Sequence, residues 1–281
     1  MSALFLGLFA ALCWGFHDIC VRFLSQKTPL SACIFVVVVT GLAFHLGLMT
    51  ILGGFASVAS DAVWYSVAAG LFFVIATFGL YHAFKRGPVR LVAPLIAAFP
   101  ILSVALAHYQ GTPISSLQWL AVLAIVTGVA IVAALSDSSA DKSPPKGPTI
   151  ALSLISAVGF AGTFALGQHA AEISGEMPTT LITRITALGL TMTILLTFRL
   201  PFWPGRTALP LLVAMGVADG VALLLVLSAG GLPNAQYAAV ASSMFGLLTI
   251  VLAWAFLKER MTAPQWVGCV VAFAGVGYLA L

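Results

Sequence analysis

Long apolar runs, separated by short polar segments, make up almost the whole of this sequence. The runs reach about 20 residues, the length that an α-helix needs to cross the roughly 30 Å hydrocarbon core of a membrane. They show no alternation of polar and apolar positions with a period of two, so the pattern favours membrane helices over a membrane β-barrel. Ten spans are predicted, at about residues 3–24, 30–53, 62–84, 88–110, 115–135, 149–172, 177–199, 207–229, 233–257 and 262–281.

An internal repeat organises these spans. Two pairs of dipeptides recur in the same order at an offset of 147 residues (266 − 119), Gln118-Trp119 with Gln265-Trp266 and Gly128-Val129 with Gly275-Val276. Gly15-Phe16 and Gly159-Phe160 form a third pair, at an offset of 144 residues. The sequence therefore predicts a first five-helix repeat in residues 1–135, a polar linker in 136–148 and a second five-helix repeat in 149–281. Because five is an odd number, the repeats must be inverted relative to each other, as in many membrane transporters.

The basic residues outside the membrane core indicate how the chain is oriented. They fall only in the odd-numbered connections between spans: Lys27, Lys85, Arg86, Arg90, Lys142, Lys146, Arg199, Arg206, Lys258 and Arg260. Basic loops remain on the cytoplasmic side of a membrane. This bias predicts a cytoplasmic linker and periplasmic termini in a bacterial inner membrane. The net charge of +4 then reflects orientation and not nucleic-acid binding.

Composition and motifs narrow the class of protein. Hydrophobic residues make up 61% of the chain and charged residues 7%, whereas soluble domains carry about a quarter charged residues. The four cysteines lie inside predicted spans without the paired spacing of metal or disulfide sites. No Walker A, HExxH or GxSxG motif occurs. We therefore expect an all-α, multi-pass membrane protein that is not an enzyme and that has no metal and no cofactor.

The most specific motif lies near the end of the chain. Residues 254–262 (WAFLKERMT), followed by Gln265-Trp266-Val267-Gly268, are similar to the "LgErl…qwiG" signature of the drug/metabolite transporter superfamily, in its ten-helix EamA-type branch. Trp14-Gly15 resembles the "WGsn" opening of that family, and Pro100-Ile101 resembles its "Pv" pair. The resemblance covers essentially the whole chain. It implies two five-helix repeats around a central cavity, and secondary transport that is usually export.

Three features depart from the family pattern. Thr112 stands where the second half has Glu259, and Leu247 stands where the first half has Pro100. The residues Phe16-His17-Asp18 replace the small polar residues that follow Trp-Gly in the family. The last departure predicts a substrate unlike those of the commonest members.

The first span carries the most suggestive polar residues. Trp14, His17, Asp18 and Arg22 are spaced i, i+3, i+4 and i+8, so they share one helix face. A carboxylate in hydrocarbon costs at least about 2.5 kcal/mol, so this face should line a cavity or another helix. One interpretation makes Asp18 a proton or cation site and His17 its pH-sensitive neighbour. The alternative is an Asp18–Arg22 pair that only stabilises the helix.

A second acidic residue is predicted deep in the membrane. Asp219 lies near the centre of span eight, between Gly216 and Gly220. The two glycines are typical of close helix packing, and an acid at that depth needs a partner or water. Arg184 in span seven is a candidate counter-ion for either aspartate. It is also a candidate ligand for a substrate carboxylate, with a purely structural pairing as the alternative.

Aromatic and uncharged polar residues complete the candidate set. Phe78, Tyr81 and His82 are predicted on one face of span three and Trp254 in span nine, where they would suit planar or cationic substrates through stacking and cation–π contact. The alternative is lipid-facing packing. Candidate hydrogen-bonding groups near the midplane of the second half are Gln168, Ser242 and Ser243.

The sequence therefore favours a secondary active transporter of a small polar organic metabolite, amino acid-like or amine-like, that is cationic or zwitterionic. Export by proton antiport or exchange is the leading hypothesis. An importer of a vitamin-like metabolite, a lipid-modifying membrane enzyme and a lipid-linked sugar flippase remain alternatives. An enzyme would need catalytic residues clustered near one interface, whereas the polar residues here are spread through the membrane depth. The expected partners are the substrate, the lipid bilayer and protons, in a monomer or a homodimer.

Overall fold

The computed structural model describes residues 2–109, 115–135, 145–232 and 236–279. Across these ranges the chain is helical and contains no strand, which confirms the predicted all-α class. The helices of the described residues are α1 (Ala3–Leu24), α2 (Leu30–Leu52), α3 (Ser60–Arg86), α4 (Val89–Ala97), α5 (Pro100–Tyr109), α6 (Ser116–Ala134), α7 (Lys146–Ser174), α8 (Glu176–Thr197), α9 (Leu209–Ser228), α10 (Gln236–Ser242), α11 (Phe245–Leu252) and α12 (Ala263–Leu279). A 3₁₀ turn follows α9 at Ala229–Gly231, and a π-helical turn follows α11 at Ala253–Leu257.

Seven helical stretches in the described ranges are long and apolar enough to cross a membrane. The count of ten spans stays a prediction. Some predicted features lie outside the described residues, namely Thr112, most of the linker (136–144) and the first three residues of span nine (233–235).

Two of the predicted spans, four and nine, are each interrupted in the structure. Span four is interrupted between α4 and α5, where the amide of Phe99 bonds the Ile96 carbonyl at 3.2 Å in a tighter turn. Pro100 has no N–H to continue the helical ladder. Span nine is interrupted between α10 and α11, where the hydroxyl of Ser243 bonds the Val240 carbonyl at 2.7 Å. Interrupted helices at corresponding positions of two repeats are a recognised sign of a transport site.

The two interrupted helices contact each other. A Cβ atom added to Gly246 in α11 would lie 2.6 Å from the Cβ of Ala97 and 3.0 Å from the carbonyl oxygen of Ala93 in α4. Only glycine allows this approach, so α4 and α11 cross with their backbones in close contact. The crossing brings the two helix interruptions close together.

The repeated Gln residues have equivalent roles at helix starts. In α6 the side-chain oxygen of Gln118 accepts a bond from the amide of Ser115 at 2.8 Å. In α12 the side-chain oxygen of Gln265 accepts from the amide of Thr262 at 2.9 Å. Both are capping-box contacts, which satisfy backbone donors that a helix start leaves free. The sequence repeat therefore corresponds to a repeated local structure.

The repeated glycines describe how α6 and α12 pack. Gly128 lies against the backbone of residues 268 and 272, and Gly275 lies against residues 121 and 125. Each contact maps onto the other when 147 residues are added or subtracted (128 + 147 = 275, 121 + 147 = 268). Residue numbers increase along α6 in the direction in which they decrease along α12. The two helices are therefore antiparallel and related by a local two-fold axis.

The first helix shows how polar residues are kept from the surrounding lipid. Large apolar side chains such as Phe9 and Leu12 are 53% and 56% exposed on its outer face. On the inner face Asp18 is 1% exposed. This distribution reverses that of a soluble protein and places the charged groups at the centre of the bundle.

Candidate functional site

A small cavity lies at the centre of the bundle, where helices of both halves meet. Its wall includes His17 and Asp18 of α1, Tyr81 of α3, Asp219 of α9 and Phe245 of α11. The cavity volume is about 20 Å³, which leaves room for about one water molecule. A molecule larger than water could enter only if the lining helices moved apart.

A chain of three side chains crosses from α1 to α3. His17 Nδ1 lies 2.9 Å from Asp18 Oδ1, and His17 Nε2 lies 3.1 Å from the hydroxyl of Tyr81. Both bonds are satisfied by a neutral imidazole that donates from Nδ1 to Asp18 and accepts a hydrogen bond from the Tyr81 hydroxyl at Nε2. Asp18 Oδ2 is buried and has no hydrogen-bond partner. Arg22, the alternative partner predicted for Asp18, instead pairs with Glu259.

The second acidic residue, by contrast, is fully engaged. Arg184 Nη1 donates to Asp219 Oδ2 at 2.5 Å, and Arg184 Nη2 donates to the Asp219 carbonyl at 2.9 Å. The indole N–H of Trp14 donates to Asp219 Oδ1 at 3.1 Å. Of the two counter-ions that the sequence allowed for Arg184, the fold selects Asp219.

Local packing explains why Arg184 reaches this position. Its guanidinium carbon lies 5.1 Å from the centre of the Phe73 ring, within the range of a cation–π contact. A Cβ atom on Gly41 would lie 2.8 Å from Arg184 Nη1, so that glycine in α2 makes room for the side chain. The Arg184 side chain is 1% exposed, and the residue is not part of the cavity wall.

An aromatic cluster stands beside the two carboxylates. The Trp14 ring lies 5.4 Å from Phe164, 6.1 Å from Phe160 and 6.4 Å from Phe245. Phe99, at the interruption between α4 and α5, lies 5.2 Å from Phe164. Sequence reasoning missed these four phenylalanines. The available signal was the repeat match of residues 16 and 160, but Phe16 faces outward and is 40% exposed.

The structure brings six of the predicted site residues together. Trp14, His17, Asp18, Tyr81 and Asp219 lie on the cavity wall, and Arg184 is bonded directly to Asp219.

Three of the predicted aromatic residues, Phe78, His82 and Trp254, lie outside the cavity wall. Phe78 and His82 are stacked with ring centres 6.2 Å apart, and His82 is exposed and bonds the Phe78 carbonyl. Tyr81 precedes His82 by one residue and points about 100° away from it around the helix. The two side chains therefore do not share a face. Trp254, in the π-helical turn, is 56% exposed on the outer surface.

The uncharged polar residues make structural bonds outside the cavity wall. The amide of Gln168 donates to the Val226 carbonyl at 3.0 Å. The hydroxyls of Ser242 and Ser243 donate to carbonyls of their own helix at 2.8 and 2.7 Å. The two serines thus compete with the backbone ladder where span nine is interrupted.

A charge network joins both halves at one end of the bundle. Arg22 Nη1 donates to the Phe84 carbonyl at 2.7 Å, and Arg22 Nε lies 3.7 Å from Glu259 Oε1. The amide of Arg90 donates to Glu259 Oε2 at 3.4 Å, and its guanidinium bonds the Arg260 carbonyl. Separation of the two halves at this end would break the Arg22–Glu259 and Arg90–Glu259 contacts.

Comparisons with known proteins agree with the fold. Residues 1–134 and 147–281 match a family model described as the EamA-like transporter family. A solved structure titled "Crystal structure of protein" superposes with a TM-score of 0.71 at 18% sequence identity, covering 99% of this chain and 96% of that chain. No curated protein matches the sequence at a significant level.

Proposed function

The chain belongs to the EamA-like transporter family and is therefore a membrane transporter of small molecules, and we propose that it exports a small cationic or zwitterionic organic metabolite in exchange for protons. The observation that carries this proposal is that Asp18, a residue of the cavity wall, has a buried carboxylate oxygen without a hydrogen-bond partner. Members of this family are transporters and not enzymes.

The proposed mechanism rests on competition at Asp18. A buried carboxylate is costly unless a proton or a cation neutralises it. The same oxygen binds either a proton or the ammonium group of a substrate, and one displaces the other. Exchange follows because the site can change the side that it faces only when Asp18 holds a proton or a substrate cation. With neither bound, the carboxylate charge stays uncompensated and the change is unfavourable.

The helices that hold the site also hold the charge network. His17 and Arg22 lie on α1 within two turns, and their partners Tyr81 and Phe84 lie on α3 within one turn. A shift of α1 relative to α3 that follows occupation of Asp18 therefore strains the Arg22 contacts as well. Opening of one end is in this way linked to the state of the site.

Alternating access also needs elements that can change shape. We assign that role to the interruptions after Ala97 and Ser242, where tighter i→i−3 bonds replace the regular helical ladder. The inverted relation of the halves, proposed from the odd number of spans, would let the two interruptions open opposite ends in turn.

Transport into liposomes tests the proposal. Purified protein is reconstituted into vesicles that contain a pH-sensitive dye, and amino acids and simple amines are added outside one at a time. We expect at least one compound to make the interior more alkaline, because each substrate cation that enters the vesicle is exchanged for a proton that leaves it. A protonophore should abolish the signal. Substrate movement with no proton movement, and with no response to an imposed pH gradient, would refute proton exchange.

We further propose that the protein lies in a bacterial inner membrane with both termini in the periplasm. The support is the restriction of basic loops to the odd-numbered connections. A C-terminal alkaline phosphatase fusion should be active and a C-terminal green fluorescent fusion dark. Fusions made after residue 140, in the linker, serve as the control and should give the opposite result. The same pattern at both positions, or the reverse pattern, would contradict this orientation.

A further inference from the structure

We infer that the site selects an organic ammonium ion with an aromatic body and without a carboxylate group. This inference rests on the proposed function and narrows its substrate class, because a zwitterionic amino acid would be a poor ligand. Three features of the cavity carry the inference: the free oxygen of Asp18, the position of Arg184 and the aromatic wall.

The free oxygen of Asp18 defines where the positive group binds. Asp18 Oδ1 already accepts from His17, whereas Oδ2 is buried without a partner. A buried acceptor without a partner costs free energy until a donor fills it. An ammonium group donates up to three bonds and also neutralises the charge.

The position of Arg184 argues against a carboxylate on the same ligand. Its two terminal nitrogens bond Asp219, its face covers Phe73 and it does not contribute to the cavity wall. Only its Nε lacks a partner, and that atom is buried away from the wall. To reach Arg184, a substrate carboxylate would have to displace Asp219 and leave that acid unpaired. The cost of an unpaired buried charge makes this exchange unfavourable.

The charges on the wall lead to the same conclusion. Among the described residues, the wall carries the carboxylates of Asp18 and Asp219 and no Lys or Arg. His17 is held between Asp18 and Tyr81, and both of its ring nitrogens are occupied. A ligand carboxylate would therefore face the unpaired charge of Asp18, an Asp219 carboxylate already neutralised by Arg184, and no available base.

The aromatic wall provides a place for the body of the ligand. Trp14, Phe160 and Phe245 line the cavity with ring centres 6.1 to 6.5 Å apart. Aromatic rings at such separations accept another ring in an offset or edge-on arrangement. They also attract a cation through their faces. An aryl-alkyl ammonium ion combines both properties.

Three compounds with the same ring and a similar chain test this inference. Phenethylamine carries only the ammonium group, phenylalanine carries both charged groups and 3-phenylpropionate carries only the carboxylate. The measurement is thermal unfolding of the purified full-length protein against ligand concentration. We expect phenethylamine to stabilise the protein saturably, with an affinity at least about tenfold higher than that of phenylalanine, and 3-phenylpropionate to have no effect.

Variants separate binding at Asp18 from unspecific effects. Asp18→Asn should abolish the phenethylamine response. Asp61→Asn makes the same chemical change at an exposed position at the start of α3 and should leave the response unchanged. A phenethylamine response that survives in Asp18→Asn would overturn the inference, as would the absence of any phenethylamine response in the unmodified protein.

The outcome for phenylalanine distinguishes the inference from the broader proposal. If phenylalanine binds as tightly as phenethylamine, the ammonium-only selectivity is wrong. Proton exchange in liposomes would then still hold with a zwitterionic substrate. If amines bind but no proton exchange occurs, the selectivity stands and the proposed coupling fails.

Discussion

Replacing Asp18 with asparagine is expected to abolish proton-coupled transport, because the proposed exchange of a proton for a cation takes place at this carboxylate. In the unmodified protein His17 Nδ1 lies 2.9 Å from Asp18 Oδ1. The amide oxygen of asparagine can accept the same hydrogen bond. The variant should therefore fold and insert. It loses the charge, so it neither binds a proton nor holds a cationic substrate. The measurement is dye-reported proton movement in liposomes, driven by the substrate identified with the unmodified protein.

Controls define what this result would mean. Asp61→Asn, at the exposed start of α3, should transport normally. His17→Gln keeps a hydrogen-bonding group between Asp18 and Tyr81 but does not titrate, so it should change the pH profile with a smaller loss of rate. Normal transport by Asp18→Asn, with an unchanged pH dependence, would make Asp18 only a structural partner.

Removing one member of the Arg184–Asp219 pair is expected to destabilise the protein by about 3–5 kcal/mol, the usual cost of leaving one buried charge unpaired. The two side chains are 1% and 6% exposed, and Arg184 Nη1 lies 2.5 Å from Asp219 Oδ2. Arg184→Met leaves the acid without its counter-ion, and Asp219→Asn does the same to the guanidinium. Both single variants should therefore show a large decrease in thermal stability in detergent.

The double variant separates charge pairing from packing. Arg184→Met with Asp219→Asn removes both charges of this pair and keeps an oxygen for the indole N–H of Trp14. It should recover most of the lost stability, because a neutral, packed replacement of a buried ion pair is often tolerated. Glu172→Gln breaks the half-exposed contact with His169 and should change stability by less than about 1 kcal/mol. Additive losses in the double variant would contradict this interpretation.

Much of the fold could be predicted because the membrane imposes simple requirements. Every backbone polar group in hydrocarbon needs a partner within its own segment, so long apolar runs become helices. The limits of α1 and α2 agree with the predicted spans within a residue or so. Hydropathy could not reveal the interruptions after Ala97 and Ser242, because the residues around them are apolar or small and only the hydrogen bonds change.

The candidate site could be predicted only where it depends on one helix. The spacing of Trp14, His17 and Asp18 defines a common face, and the structure places all three on the cavity wall. The same reasoning places only part of its set on α3, where Tyr81 lines the cavity and Phe78 and His82 do not. Only the fold determined that Tyr81 lies near the α1 face, since 64 residues separate it from His17.

The sequence by itself determined that this is a helical membrane protein, that it contains two related halves, and that Asp18 lies deep within the first helix. These properties follow from local periodicity, composition and internal similarity, none of which depends on how the helices pack together. The tertiary structure decided that Arg184 neutralises Asp219 and leaves Asp18 with a free oxygen. It also placed Phe160 and Phe245 beside these acids. Such contacts depend on how separate helices pack, and that arrangement is set by many small contacts that no single motif records.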